Sequence, residues 1–331
     1  GGQNKGFTMH LMRAESTGPS VGKLVPRIKN TARILYEIYI AITLTEIVLL
    51  LIAGLPLYDA VTLTFSTVGT GGYGLLNSSV ASYSMAVQVI IMVFMLLCGI
   101  SFNIYYLLLA KKPKEAFCNE ELRVYLLVIL AATISIGISI RGNFSSIWEA
   151  FYEAGFQTIS LITTTGFSTC DFNLWPSFAK MILFFVMFTG ACAGSTGGGL
   201  KISRLIVWVK SIRNEVLSVI HPHSVKKVHL DGRALSGEVI HSIHLYLIIY
   251  VCIYIVSVIL ISVDNFSFET NVSAVMAAMN NIGPGFDAVG PTGNFGGFSV
   301  FSKCVLMFDM LAGRLELLPI LVVFSARTWK K

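Results

Sequence analysis

The sequence predicts an all-α polytopic membrane protein assembled from a repeated unit, and three observations carry that prediction. The 331 residues are 54% hydrophobic and only 13% charged, with a mean hydropathy of +0.73, whereas soluble domains carry about a quarter charged residues. Twenty of the 24 Lys and Arg fall in four short segments: 1–33, 110–123, 201–233 and 325–331. Between successive basic segments the same composite pattern returns: a long apolar run, a short amphipathic run, a Gly/Thr stretch and a second apolar run.

Each element follows from this pattern. The long runs, Ile34 to Leu55, Leu122 to Ile140 and Val239 to Val263, have the roughly 20 residues needed to cross a bilayer. Basic clusters are retained on the cytoplasmic side, so each long run leads outward. The second apolar runs, Ser84 to Leu109, Phe178 to Ala193 continuing past Leu200, and Ser302 to Phe324, lead back. Six crossings leave both ends of the sequence cytoplasmic. The short runs, Tyr58 to Phe65, Ile147 to Ile159 and Phe268 to Met279, are too short to span and too apolar for free loops. They are expected to be re-entrant half-helices, because irregular backbone at membrane depth survives only where protein buries it or it lines a watery path.

The Gly/Thr segments sit where such a path would narrow. Rings of backbone carbonyls can replace a cation's hydration shell, and glycine reaches the backbone conformations that aim successive carbonyls together. The sequence aligns Val68, Gly69, Thr70 and Gly71 with Thr163, Thr164, Thr165 and Gly166, and with Ile282, Gly283, Pro284 and Gly285 after Asn281. The closing glycines, Gly71, Gly166 and Gly285, are the expected pivots, and threonine hydroxyls are expected to face the ion. One such cluster alone reads as a tight outer turn. Three at the same place in a repeat point to a filter, and the partly negative C-terminal ends of the half-helices favour a cation. The outer segments carry Asp59, Glu149, Glu153, Asp171, Asp264, Glu269 and Asp287 against Arg141, Lys180 and Lys303, a balance that concentrates cations.

The run Gly194, Ser195, Thr196, Gly197, Gly198, Gly199 interrupts the second returning helix. It is not a phosphate-binding loop, since that pattern requires G-x-x-x-x-G-K-[ST] after a strand and here Leu200 separates Gly199 from Lys201. A glycine break inside a membrane helix suits a gate, or else a close approach of two helices. Lys201, Arg204, Lys210 and Arg213 follow and are expected to meet lipid headgroups or a regulator. Two charges lie inside apolar runs: Glu46, expected to meet a hydroxyl or amide, and Arg314, near Asp309 and Glu316. Intramembrane charges are costly and mark function by default; for Arg314 the alternatives are a pore-facing charge and a pair with Asp309 or Glu316.

The motifs FSTVGTGGYG (65–74), ITTTGFSTCDF (162–172), GACAGSTGGGLKISR (190–204), NNIGPGFDAVGPTGNF (280–295) and AGRLELLPILVVFSARTW (312–329) together resemble the Trk/Ktr/HKT superfamily of potassium translocating subunits. The resemblance covers essentially the whole chain. It implies a pseudo-fourfold pore of outer helix, pore helix and inner helix units conducting K+, with Na+ as a possible second ion, in a bacterial plasma membrane. It also implies a homodimer gated by a cytoplasmic nucleotide-binding ring of the TrkA or KtrA type, with the loop 194–200 as a movable constriction and Arg314 as an electrostatic barrier below the filter.

Three units are legible: 34–120 with filter 67–72, 121–233 with filter 163–167, and 234–331 with filter 281–286. Residues 1–33, including FTMHLMRAE, resemble the connector that follows the family's first unit, so the expectation is a chain lacking that unit. A K+/Na+ or K+/H+ coupled transporter and a truncated, non-conducting fragment are the alternatives. Coupled carriers often use inverted repeats, whereas these units share one orientation. The scattered basic segments form no single face for nucleic acid, no nucleophile, base and acid come together to suggest an enzyme, and the six cysteines lack C-x-x-C metal spacing.

Overall fold

The computed structural model describes residues 28–221 and 227–314. Twelve α-helices account for nearly all regular structure among these residues. The first unit comprises α1 (Ile28–Ile52), the short α2 (Leu57–Val68), α3 (Met85–Cys98) and α4 (Phe102–Leu109), followed by a one-turn α5 (Pro113–Phe117). The second comprises α6 (Glu120–Ile140), the short α7 (Ile147–Ile162), α8 (Ser177–Thr189) and α9 (Ile202–Ile220). The third comprises α10 (Gly237–Ile261), the short α11 (Phe268–Met279) and α12 (Val300–Arg314). A two-residue hairpin, β1 (His229–Leu230) with β2 (Arg233–Ala234), joins the second unit to the third.

Local chemistry places the helix starts. Pro56 and Pro176 precede α2 and α8, where a fixed φ and a missing N–H suit helix entry. Side-chain oxygens of Asn119, Ser146, Ser236 and Ser267 accept from Leu122, Trp148, Val239 and Thr270 at the starts of α6, α7, α10 and α11, satisfying donors that the helix itself leaves open. Among the described residues, three helices are long and apolar enough to cross a membrane: Arg33–Ile52, Glu120–Asn143 and Gly237–Asp264. They belong to α1, α6 and α10, the outgoing helix of each unit. The short helices carry the burial instead: every residue from Ala154 to Thr165 is buried.

Among the returning helices the first departs from the continuous span expected, whereas the second breaks at the glycine run as expected. The first one, expected over Ser84 to Leu109, is broken into α3 and α4, which meet at 87°. At about 1.5 Å per residue α3 reaches only about 21 Å, short of the roughly 30 Å hydrocarbon core. A helix ending inside a membrane must satisfy its last four carbonyls, and here each has a donor. Met95 O accepts from Gly99 N at 3.0 Å, Leu96 O from Tyr125 Oη at 3.2 Å, Leu97 O from Tyr105 Oη at 2.6 Å, and Cys98 O from Thr196 Oγ1 at 3.3 Å. The second returning helix stops at Thr189 and resumes at Ile202, with a loop between. Val300–Arg314 is the described part of the third; the rest of the expected helix, and Glu316 with it, lies outside the described residues, as does the 1–27 portion of the connector.

The units pack in sequence. α3 of the first unit packs against α7 of the second, and α8 of the second against α11 of the third. α7 and α11 are thereby each held both by their own unit and by the preceding unit's returning helix. The main core runs through this seam, with Ile91, Met95, Tyr125, Ala154, Phe156, Ile162, Leu183 and Met187 buried in one cluster. The third unit closes tightly: a Cβ on Gly313 of α12 would stand 1.7 Å from Met279 O at the end of α11, an approach that only glycine permits.

Candidate functional site

The three Gly/Thr segments share one backbone course. Two residues past each short helix stands a non-glycine residue with left-handed φ: Thr70 (φ 51°), Thr164 (φ 58°) and Asn281 (φ 56°). Two residues further stands a glycine with positive φ: Gly72 (φ 65°), Gly166 (φ 87°) and Gly283 (φ 107°). Between these two positions a backbone N–H turns back into the short helix, Gly71 N to Ser66 O at 2.7 Å, Thr165 N to Ser160 O at 3.0 Å and Ile282 N to Ala277 O at 2.8 Å. Left-handed backbone costs a residue with a Cβ about 1–2 kcal/mol; the first position carries that cost and a glycine avoids it at the second.

This course corrects the sequence alignment by register. Gly72, not Gly71, corresponds to Gly166, and the third-unit partner is Gly283, not Gly285. The sequence misled because glycines crowd the first and third segments, so matching each segment's closing glycine ignored where each short helix ends. Val68 is the last residue of α2 rather than the first of the loop. Gly285 serves a different purpose: its N–H donates to Val289 O at 2.7 Å in the turn beyond, and Pro284 precedes that turn.

The segments interlock. A Cβ on Gly72 would stand 1.8 Å from Thr165 O of the second unit, and a Cβ on Gly166 would stand 1.9 Å from Ile282 O of the third. Gly71, Thr165 and Ile282 are equivalent positions, so each unit's glycine lies against the equivalent carbonyl of the next. The three segments thus form an arc with a regular step. Around Gly283 nothing among the described residues lies within 4 Å of an added Cβ.

The threonine hydroxyls do not stand free to face an ion, as the sequence suggested. Thr163 Oγ1 bonds to Ile159 O at 2.7 Å and lies 2.9 Å from Thr165 Oγ1. Thr70 Oγ1 donates to Thr196 O at 2.9 Å, and Thr164 Oγ1 accepts from Gly198 N at 2.6 Å. Short side-chain oxygens at left-handed positions reach neighbouring backbone, which is why that backbone takes them up here.

The last two bonds dock the glycine loop directly against the arc. Gly197 approaches Thr163 O, Gly198 approaches Asn280 O and Gly199 approaches Asn280 Oδ1, with an added Cβ at 3.0, 2.5 and 3.3 Å respectively. Gly190, Gly194 and Gly199 all take positive φ, so the loop turns sharply at each. Gly194 O accepts from Phe102 N at 2.9 Å and Ser195 Oγ bonds back to Cys192 O at 2.6 Å. The loop therefore contacts all three segments and the break between α3 and α4.

Charged groups sort differently from the sequence expectation. Arg314 Nη1 donates to Thr196 O of the loop at 3.1 Å, while Asp309 accepts instead from Ser257 Oγ at 2.7 Å; the proposed Arg314 and Asp309 pair does not form. Lys201 and Arg204, expected to reach lipid or a regulator, are buried. Lys201 Nζ donates to Gly197 O and the Arg204 guanidinium lies 3.9 Å from the Tyr246 ring centroid, a contact that favours a desolvated cation. Glu46 is fully buried, and neither carboxylate oxygen has a hydrogen-bond partner among the described residues; the hydroxyl of adjacent Thr67 is spent on Leu63 O. Glu121 does not stand out in the sequence, yet its Oε1 accepts from Ala193 N at 2.7 Å and Ser203 N at 2.9 Å. An acidic pair opening a helix is an ordinary dipole signal, so only its burial singles it out.

At the opposite end of the filter segments, Glu269 pairs with Lys180 at 2.7 Å and Asp264 accepts from Ser299 N at 2.8 Å. Asp287 accepts from the hydroxyls of Ser267 and Thr270, and these bonds hold its carboxyl below the ordinary aspartate value. Asp171 accepts from Thr292 at 3.2 Å. Much of the acidic excess thus ties down outer turns.

Comparison with known proteins places this geometry in context. The family described as TrkH, cation transport protein, matches residues 5–331. The Trk system potassium uptake protein TrkH of Salmonella typhimurium is 33% identical over 98% of this chain and 68% of its own length. The corresponding protein of Vibrio parahaemolyticus is 32% identical over 97% of this chain and 67% of its own. The crystal structure of the potassium transporter TrkH from Vibrio parahaemolyticus superposes with a TM-score of 0.85 at 30% identity, covering 95% of this chain and 68% of that one.

Proposed function

This chain belongs to the TrkH cation transport protein family, and from that premise we propose that it is a potassium-translocating membrane subunit. K+ passes down its electrochemical gradient along the arc of segments 69–72, 163–166 and 280–283. The observation that carries this reading is the interlock of Gly72 with Thr165 O and of Gly166 with Ile282 O. It supports a filter because backbone held at a fixed spacing supplies ready-made oxygens to replace a hydration shell. The C-terminal ends of α2, α7 and α11 abut these segments and add negative potential.

In this reading the loop Gly194–Gly199 is the gate, and Arg314 lends its charge to the closed arrangement through Thr196. The relatives' description as potassium uptake proteins supports K+ as the ion. The protein works as a homodimer in a bacterial plasma membrane, with both ends of the sequence cytoplasmic and a nucleotide-binding ring of the TrkA or KtrA type docked on that side. Replacing Gly166 by serine tests the filter. Rubidium uptake by cells lacking other potassium uptake systems should become strongly inhibited by sodium, and unchanged sodium competition would show that Gly166 lies off the ion path.

A further inference from the structure

The glycine loop is tied down at both ends by one carboxylate. Ala193 and Ser203 flank the loop ten residues apart, and both their N–H groups donate to the same oxygen of Glu121, at 2.7 and 2.9 Å. Glu121 is buried, where a donor that loses its partner has no water to turn to. Ile202 N adds a backbone bond to Ala191 O at 3.2 Å, so the two stems of the loop close side by side over Glu121. Whatever moves the start of α6 moves the oxygen on which both stems hang.

The start of α6 is itself held from outside the helix bundle. The Asp231 carboxylate, at the tip of the β1–β2 hairpin, accepts from Asn119 Nδ2 at 2.8 Å and from Glu120 N at 2.7 Å, using a different oxygen for each. Asp231 and Gly232 both take positive φ, 49° and 73°, as a tight two-residue hairpin turn requires. Lys210 of α9 bonds to the Glu120 carboxylate and to His229 O of the hairpin, and so ties the hairpin to the helix that continues out of the loop. The hairpin thus holds Asn119 and Glu120, and the next residue in the chain holds the loop.

We propose that Glu121 is the latch of the glycine loop and that the Asp231 hairpin sets the latch from the basic side of the protein. This rests on the reading of the loop as a gate and assigns the groups that position it. A displacement of the hairpin by a docked protein reaches the loop through one helix turn. It requires no change in α7 or in the filter segments, which share no bond with Glu121. Glu121 acts as a positioning residue: it touches the loop stems and not the ion path.

Hydrogen exchange followed by mass spectrometry on the full chain in lipid nanodiscs tests the latch without requiring transport. Asp231→Ala lies on an exposed turn and leaves the core intact. It should speed amide exchange across 190–203 by about tenfold, in keeping with the loss of bonds to a charged acceptor, and leave 156–167 unchanged. Glu121→Ala should produce the same pattern more strongly, Glu121→Gln should restore most of the protection because its amide oxygen still accepts, and Asp231→Ala should add little to Glu121→Ala. Unchanged exchange at 190–203 in Asp231→Ala overturns the proposal, and so does equal acceleration throughout the chain. Rubidium flux measured on the same variants separates the two readings. Faster loop exchange with unaltered flux would keep the latch and overturn the loop's role as gate.

Discussion

Gly72→Ala offers a direct measure of how tightly the filter segments interlock. The substitution places a Cβ at φ 65°, 1.8 Å from Thr165 O. Left-handed backbone costs about 1–2 kcal/mol and overpacking a close contact about 1–3 kcal/mol, so the loss should be about 2–5 kcal/mol. To bring the contact out to 3.0 Å, the two segments must separate by about 1.2 Å, which shifts the carbonyls that replace the hydration shell. Gly71→Ala is the matched control. Gly71 has no positive φ, and its added Cβ would meet the Tyr73 ring at 3.1 Å, a side chain 75% exposed and free to turn aside. Its cost should stay under about 1 kcal/mol. Thermal unfolding in detergent and rubidium uptake against sodium competition should both separate the variants, with Gly72→Ala lower in midpoint and poorer in selectivity. If Gly71→Ala proved equally damaging, the register drawn from helix ends and left-handed positions would be wrong and the alignment of closing glycines would be restored.

Other consequences are open to measurement. Thr164→Val removes the acceptor of Gly198 N and should loosen the loop by about 1–3 kcal/mol, the cost of a buried donor left unpaired, seen as faster amide exchange at 197–199. Gly313→Ala drives a Cβ to 1.7 Å from Met279 O and should lower the unfolding midpoint through an overpacking cost of about 1–3 kcal/mol; an unchanged midpoint would refute the α11 and α12 contact. Asp287 is held below the ordinary aspartate value by the Ser267 and Thr270 hydroxyls, so its contribution is present above that value, near 3.8, and lost as pH falls through the depressed one. The unfolding midpoint of the native protein should therefore drop more on strong acidification than that of Asp287→Asn, and parallel drops would show that Asp287 is uncoupled from folding.

The sequence by itself determined the repeated units and their outgoing and short helices, because each of those determinants is local or periodic, though not the 87° break between α3 and α4. Apolar length identifies α1, α6 and α10, basic clusters mark one side, and prolines and short polar caps place the helix starts. Phe268–Met279 was legible to its end residues, and the three Gly/Thr segments were legible as a group because no packed soluble core needs them. Register, hydroxyl direction and the Glu121 clamp were not legible, for one physical reason. Each depends on which groups distant in sequence the fold brings together, whether between units, as for Gly72 and the Thr165 carbonyl, or within one unit, as for Glu121 and Ala193, 72 residues apart. Composition cannot rank Gly71 against Gly72, since both have the freedom of glycine. Only the tertiary structure sets one of them against the Thr165 carbonyl, and only it turns an ordinary acidic helix start into the anchor of both ends of a loop.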